Sequence, residues 1–112
     1  VPSGTSLQET LITMGSTPGR PGAALIVNNQ QHLLGIFTDG DLRRLAGQGK
    51  FDATAAVDTV MAKKPTTLSQ ALLVGEALRL FKDTHVDQMP VVDKSGKVVG
   101  LVDVQDLLEV KL

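Results

Sequence analysis

Four apolar side chains, Val74, Ala77, Leu78 and Phe81, stand at i, i+3, i+4 and i+7, the spacing of one face of an amphipathic helix. Leu7, Leu11 and Met14 give a weaker version of the same face near the start of the chain. After each helix comes a short aliphatic run, Ala23–Val27 or Met89–Val92, read as a strand. NNQQ and DKSG follow, rich in residues that tolerate turn dihedrals. A second apolar run, Leu33–Phe37 or Val98–Val102, closes a hairpin in each case. Another helix then places Leu42, Leu45 and Ala46, or Val104, Leu107 and Leu108, on one face. Gly47 and Gly49 end the first of these, and the Gly- and Pro-rich GSTPGRPG, Gly15–Gly22, is a loop.

The order therefore occurs twice, and the residues repeat with it. ALIVNNQQHLLGIFTDGDLRRL lies over MPVVDKSGKVVGLVDVQDLLEV at an offset of 65 residues (24 to 89), pairing Gly35 with Gly100, Asp41 with Asp106 and Leu42 with Leu107. The preceding helices match at an offset of 67 (7 to 74). Lys64-Pro65-Thr66-Thr67 opens a small extra strand in the second half, with Val1-Pro2 as its counterpart, and Ala53–Met61 is a connector with one or two helical turns. The expected architecture is an α+β fold of two β-α-β-β-α repeats, residues 1–52 and 64–112, joined by a connector at 53–63. Packing sheet to sheet with pseudo-twofold symmetry would bury apolar faces that neither repeat covers alone.

At 112 residues the chain is one domain or two fused halves, and 42 % hydrophobic with 21 % charged residues is ordinary for a soluble globular protein. A net charge of -1 argues against nucleic acid as a partner, which calls for excess Lys and Arg on one face. With three Phe and no Tyr or Trp, a base-stacking platform is missing as well. The absence of cysteine removes thiolate chemistry and Cys-based zinc sites and is compatible with a reducing cytoplasm. The apolar runs fall far short of the roughly 20 residues that span a bilayer, so no membrane is expected. The start at VPSGTSL, without an initiator Met or a basic-then-apolar leader, reads as a piece excised from a longer protein.

The chemistry concentrates where the second strand hands over to the last helix. TDGDLRR, Thr38 to Arg44, places a hydroxyl, two carboxylates and two guanidiniums at that point. Thr38 and Asp41 have the spacing of a capping box, in which hydroxyl and carboxylate satisfy orphan N–H groups. The same helix start suits an anion, through free N–H groups and the positive dipole end.

The duplicated pattern, with Gly-hydrophobic-hydrophobic-Thr-x-x-Asp closing the first unit, resembles the tandem CBS domain, the cystathionine β-synthase repeat pair or Bateman module. The resemblance covers essentially the whole chain. The longer string GIFTDGDLRR, Gly35–Arg44, is similar to the C-terminal CBS pair of bacterial arabinose-5-phosphate isomerases, where it follows a sugar-isomerase (SIS) domain absent from this sequence. Its T-D-G-D core also resembles CBS pairs of some sugar nucleotidyltransferases.

The resemblance implies a cytoplasmic regulatory sensor. Its ligand would be a nucleotide of adenosine or cytidine type, or a nucleotide-sugar, bound in clefts between the repeats to modulate the catalytic domain of an enzyme supplying lipopolysaccharide (Kdo) precursors. No resident cofactor or metal is implied, and a homodimer of pairs is. Carried over by position, Thr38 meets phosphate and Asp41 the ribose hydroxyls, a sensible use of a carboxylate that accepts two bonds. Arg43 and Arg44 would add charge-assisted bonds to the phosphate if they turn back toward it; otherwise they form a solvated helix face. Val1, Gly22, Ala23 and Ala24 complete one set of contacts, and Thr66, Thr67, Gln88, Met89 and Pro90 the other.

The second repeat departs from the motif. Asp103 stands where the hydroxyl belongs, giving D-x-x-D with Asp106. A carboxylate facing a phosphate is repulsive, so this pair suits a neutral polyol or a cation-bridged ligand, or is only an N-cap.

Other signals lead nowhere. His32 and His85 lack metal-ligand spacing and read as exposed turn residues. Met14 and Met61 read as core fillers. No phosphate-loop, dinucleotide or hydrolase-elbow motif appears, and no nucleophile–base set supports an enzyme. Beside the sensor stands an alternative: a dimerisation scaffold without a ligand, in which T-x-x-D is only a cap.

Overall fold

A computed structural model describes residues 1–18, 22–72 and 74–108, apart from the side chains of Val74, Asp106 and Leu107. The chain divides into two compact units, Val1–Lys64 and Pro65–Leu112, each with its own three-stranded sheet. The fold is α+β.

In the first unit α1 (Leu7–Ser16) starts at Ser6, whose hydroxyl accepts from the Glu9 N–H at 3.1 Å. Gly15 belongs to this helix, so the loop begins later than its Gly content suggested, and residues 19–21 of that loop lie outside the described residues. β1 (Ala23–Val27) and β2 (Leu33–Thr38) form an antiparallel hairpin, and α2 (Asp39–Gly47) follows β2 without a linker. The chain then runs through a single 3-10 turn, Val57–Thr59, to β3 (Ala62–Lys63), which pairs with β2. This third strand was not foreseen: two exposed residues carry no periodic signal. Gly35 makes it possible, since a Cβ there would stand 2.7 Å from the Ala62 carbonyl and 2.5 Å from the Met61 sulfur.

The second unit repeats the helix–hairpin–helix order but adds its third strand at the opposite edge of the hairpin. β4 (Leu68–Ser69) lies parallel to β5 (Gln88–Val92), which pairs antiparallel with β6 (Val98–Asp103). α3 (Val74–Thr84) precedes β5 and α4 (Val104–Leu108) follows β6. The extra strand thus begins at Leu68, beyond Thr66 and Thr67; Leu68 is buried and anchors it. Its counterpart is a parallel bridge from Pro2 to Val27, matching Ser69 against Val92 at offsets of 67 (2 to 69) and 65 (27 to 92).

The hairpin turns show the duplication bond by bond. The Asn28 carboxamide accepts from the Gln30 and His32 N–H groups, and the Asp93 carboxylate accepts from those of Ser95 and Lys97. Each turn places one residue at positive φ, Gln31 at 65° and Gly96 at 87°. Asn or Asp suits this place because its short side chain caps its own turn.

Each unit has a separate core. Leu7, Met14, Ala24, Ile26, Phe37, Leu45 and Val57 cluster in the first, with Leu42 and Met61 packed against them. Leu68, Ala77, Phe81 and Met89 cluster in the second, beside Val102 and Val104. Two expected core positions fail: Ala46 is exposed and Leu108 is 61 % exposed. A helix buries a stripe only as wide as its partner surface, and both residues fall at its edge. Among the described residues, no helix is long and apolar enough to cross a membrane.

Candidate functional site

The Thr38 element is a complete capping box. The Asp41 N–H donates to the Thr38 hydroxyl at 3.2 Å, and the Thr38 N–H donates to Asp41 Oδ2 at 2.9 Å. The Thr38 hydroxyl donates to the same Oδ2 at 3.1 Å. The local cause is the chain reversal at Thr38, where extended backbone (φ -119°, ψ 165°) meets the first helical residue. Asp39 and Asp41 occupy the first turn, where carboxylates complement the positive dipole end.

The other carboxylate oxygen of Asp41 has a cation. Arg44 Nη2 lies 3.0 Å from Asp41 Oδ1; the arginine side chain is 55 % exposed and the aspartate 13 %. So Arg44 turns back toward the cap, one helical turn away, while Arg43 is an exposed neighbour. Arg44 is itself exposed, so this ion pair sits on a solvated helix face.

Gly22, Ala23 and Ala24 meet this helix start directly. Ala23 is the register partner of Thr38 and Ala24 that of Phe37, and the Asp39 N–H donates to the Gly22 carbonyl at 2.9 Å. Ala23 and Ala24 are both buried. Val1 sits nearer the other end of β1, its carbonyl accepting from Val27 N–H at 3.0 Å. Beside the helix start a hollow of about 270 Å³ opens between α1 and α2, lined by Leu11, Met14, Gly15, Gly22, Asp39 and Leu42. Sequence reasoning did not single it out, because four of those residues read only as core or loop.

The second unit keeps the frame and changes the chemistry. Val104 N–H donates to the Asp87 carbonyl at 2.8 Å, the counterpart of the Asp39–Gly22 bond. Asp103 is the register partner of Gln88, as Thr38 is of Ala23. Its carboxylate accepts from Gln105 N–H at 2.9 Å and from the Gln88 amide at 3.4 Å. The half-buried Asp103 therefore caps α4, with the Gln88 amide at the register position that Ala23 holds in the first unit. Asp106, the other member of that pair, has its side chain outside the described residues. Met89 and Pro90 are buried, so contact with them calls for backbone groups or a shift of their neighbours. Thr66 is exposed and Thr67 half-buried, ahead of β4. A second hollow, about 450 Å³, lies at the equivalent place between α3 and α4, with Lys82, His85 and Asp87 among its lining. His32 is half-buried rather than exposed. No group of three or more His, Cys, Asp or Glu that could hold a metal occurs among the described residues.

This arrangement, two β-β-α hairpin units each ending on a polar helix cap, defines the class. The chain belongs to the CBS domain family, whose family model matches residues 57–112, half of the chain. Among curated relatives, the arabinose 5-phosphate isomerase KdsD of Pseudomonas aeruginosa is 35 % identical over 105 residues, which cover 94 % of this chain and 32 % of the relative. The chain thus spans about a third of that protein's length. Among solved structures, the CBS-domain protein ATU1752 of Agrobacterium tumefaciens superposes with a TM-score of 0.82 at 23 % identity, covering 97 % of this chain and 80 % of that one. CBSX2, solved in complex with AMP, gives 0.81 at 22 % identity, covering 96 % and 82 %.

Proposed function

We propose that this chain is a ligand-sensing regulatory module that takes a phosphate-bearing nucleotide or nucleotide-sugar at the Thr38 helix start and modulates the sugar-phosphate isomerase domain of a longer protein. The observation that carries this reading is the Thr38–Asp41 pair at the head of a nine-residue helix. A hydroxyl, a carboxylate and a helix N-terminus there match the needs of a ribose phosphate: donors for the anion and acceptors for a diol. Family membership and the AMP complex of CBSX2 support the ligand class. Likeness to the KdsD isomerase supports the parent. In this reading the chain itself carries no catalytic residue, works in the cytoplasm, and controls its parent through unequal affinity for two arrangements of it.

Titration calorimetry of the 112-residue chain with AMP, ATP, CMP and nucleotide-sugars tests the proposal. Saturable heat with at least one of them is expected. No heat from any, with a folded protein confirmed by circular dichroism, removes it.

A second reading, a dimerisation scaffold, draws on the same geometry. Thr38 and Asp41 already satisfy each other, Asp103 places a negative charge where the second repeat would need a hydroxyl, and Ile12, Val86 and Leu108 are exposed apolar side chains. Sedimentation of the chain at several concentrations, with and without AMP, separates the two: dimerisation without any nucleotide response favours the scaffold.

A further inference from the structure

Both oxygens of the Asp41 carboxylate are occupied, and unequally. Oδ2 is held twice by Thr38, once through its backbone N–H and once through its hydroxyl. Oδ1 is held by Arg44, whose long side chain is more than half exposed. A vicinal diol bridging the carboxylate needs Oδ1, so it competes with the guanidinium and leaves the backbone-anchored oxygen in place.

We propose that Arg44 exchanges partners on binding: it releases Asp41 Oδ1 to the ribose diol and takes the ligand's phosphate instead, so that it sets the preference for phosphorylated over unphosphorylated nucleosides. This rests on the reading of the Thr38 site given above. The reach is available. The guanidinium lies 3.0 Å from Asp41, whose Oδ2 is 3.1 Å from the Thr38 hydroxyl that would meet the phosphate. The chemistry is directional as well. An arginine offers a planar fork of donors that suits either a carboxylate or a phosphate. A nucleoside without phosphate must break the ion pair and gives the guanidinium nothing in return; a nucleotide replaces one anion with another. Arg43 is exposed on the same helix, and the ion pair to Asp41 comes from Arg44, so Arg43 serves as the control.

The test is calorimetric titration of wild type, R44Q and R43Q with AMP and with adenosine. Wild type should prefer AMP by at least about a hundredfold. R44Q should weaken AMP by about tenfold and tighten adenosine several-fold, collapsing the preference, while R43Q stays within about twofold of wild type. Equal weakening of both ligands in R44Q would mean that Arg44 only positions Asp41, and overturns the exchange. So does an unchanged AMP affinity, or an R43Q effect as large as that of R44Q. If wild type binds neither compound nor any other nucleotide, the reading of the site fails first and the exchange falls with it. Arg44 is a surface side chain, and a matching thermal midpoint for R44Q excludes misfolding.

Discussion

Replacing Thr38 by Val separates what the cap does for the fold from what it does for a ligand. Valine keeps the shape and the extended backbone preference and removes the hydroxyl. The Asp41 N–H then loses its acceptor at 3.2 Å, and Asp41 Oδ2 loses the donor at 3.1 Å. The bond from the residue 38 N–H to Oδ2 survives because it is backbone, and so does the Arg44 pair. Half of the capping box is therefore lost, in a half-buried place that water still reaches. Loss of an N-cap side chain costs about 1 kcal/mol. With a urea dependence of about 1 kcal/mol per molar for a protein of this size, the unfolding midpoint should fall by about 1 M. The hydroxyl is also the proposed phosphate donor, and a hydrogen bond to a charged group contributes about 1.5–3 kcal/mol, so AMP affinity should drop roughly tenfold to a hundredfold. Thr38→Ser keeps the hydroxyl and should restore both quantities. Urea unfolding followed by circular dichroism and titration calorimetry read them separately. An unchanged midpoint in Thr38→Val refutes the cap energetics; unchanged AMP affinity refutes the phosphate contact. If Thr38→Ser behaves like Thr38→Val, the methyl group matters rather than the hydroxyl, and the reasoning fails on both counts.

Two further outcomes follow from the first unit. Gly35→Ala should destabilise it by about 1–3 kcal/mol in chemical denaturation, because the Ala62 carbonyl is backbone and cannot swing aside as the Met61 side chain can; wild-type stability would refute the β2–β3 approach. Asp58 accepts from the Ser3 hydroxyl at 2.5 Å and the Gly4 N–H at 2.7 Å, bonds that hold its carboxyl below the usual carboxylate value. A carboxyl lowered in the folded state adds stability above its unfolded value of about 3.9, and loses it as pH falls through the lower folded one. Asp58→Asn should thus be less stable than wild type at pH 7, with the gap closing below about pH 4 in pH-resolved thermal melts; a gap that persists in acid would refute the assignment.

The legibility of the site was uneven for physical reasons. Thr38 and Asp41 were readable because a capping box is a contact between residues three apart, fixed by helix geometry alone. The choice between Arg43 and Arg44 was not, since either long side chain could turn toward the cap; only the rotamer that brings Nη2 to 3.0 Å from Asp41 decides it. Asp103 was recognisable as a departure, but its bond to Gln88 joins residues 15 apart in sequence, across a pair of strands. The hollows beside α2 and α4 went unseen because cavities are properties of packing rather than of side-chain type.

What the sequence determined by itself was local and repeated: helix faces from apolar spacing, the two hairpin turns, the N-cap at Thr38, and the duplication that ties them together. Each of these depends on residues within one or two turns of each other, where covalent geometry leaves few alternatives. The tertiary structure decided the rest. It enrolled Ala62 and Lys63 as a third strand against β2, moved the second unit's first strand to Leu68, and left Ala46 and Leu108 outside the cores. Those outcomes depend on which surface is free to receive an edge strand or a helix stripe. That surface exists only after distant segments have packed, so nothing in a short window of sequence could specify it.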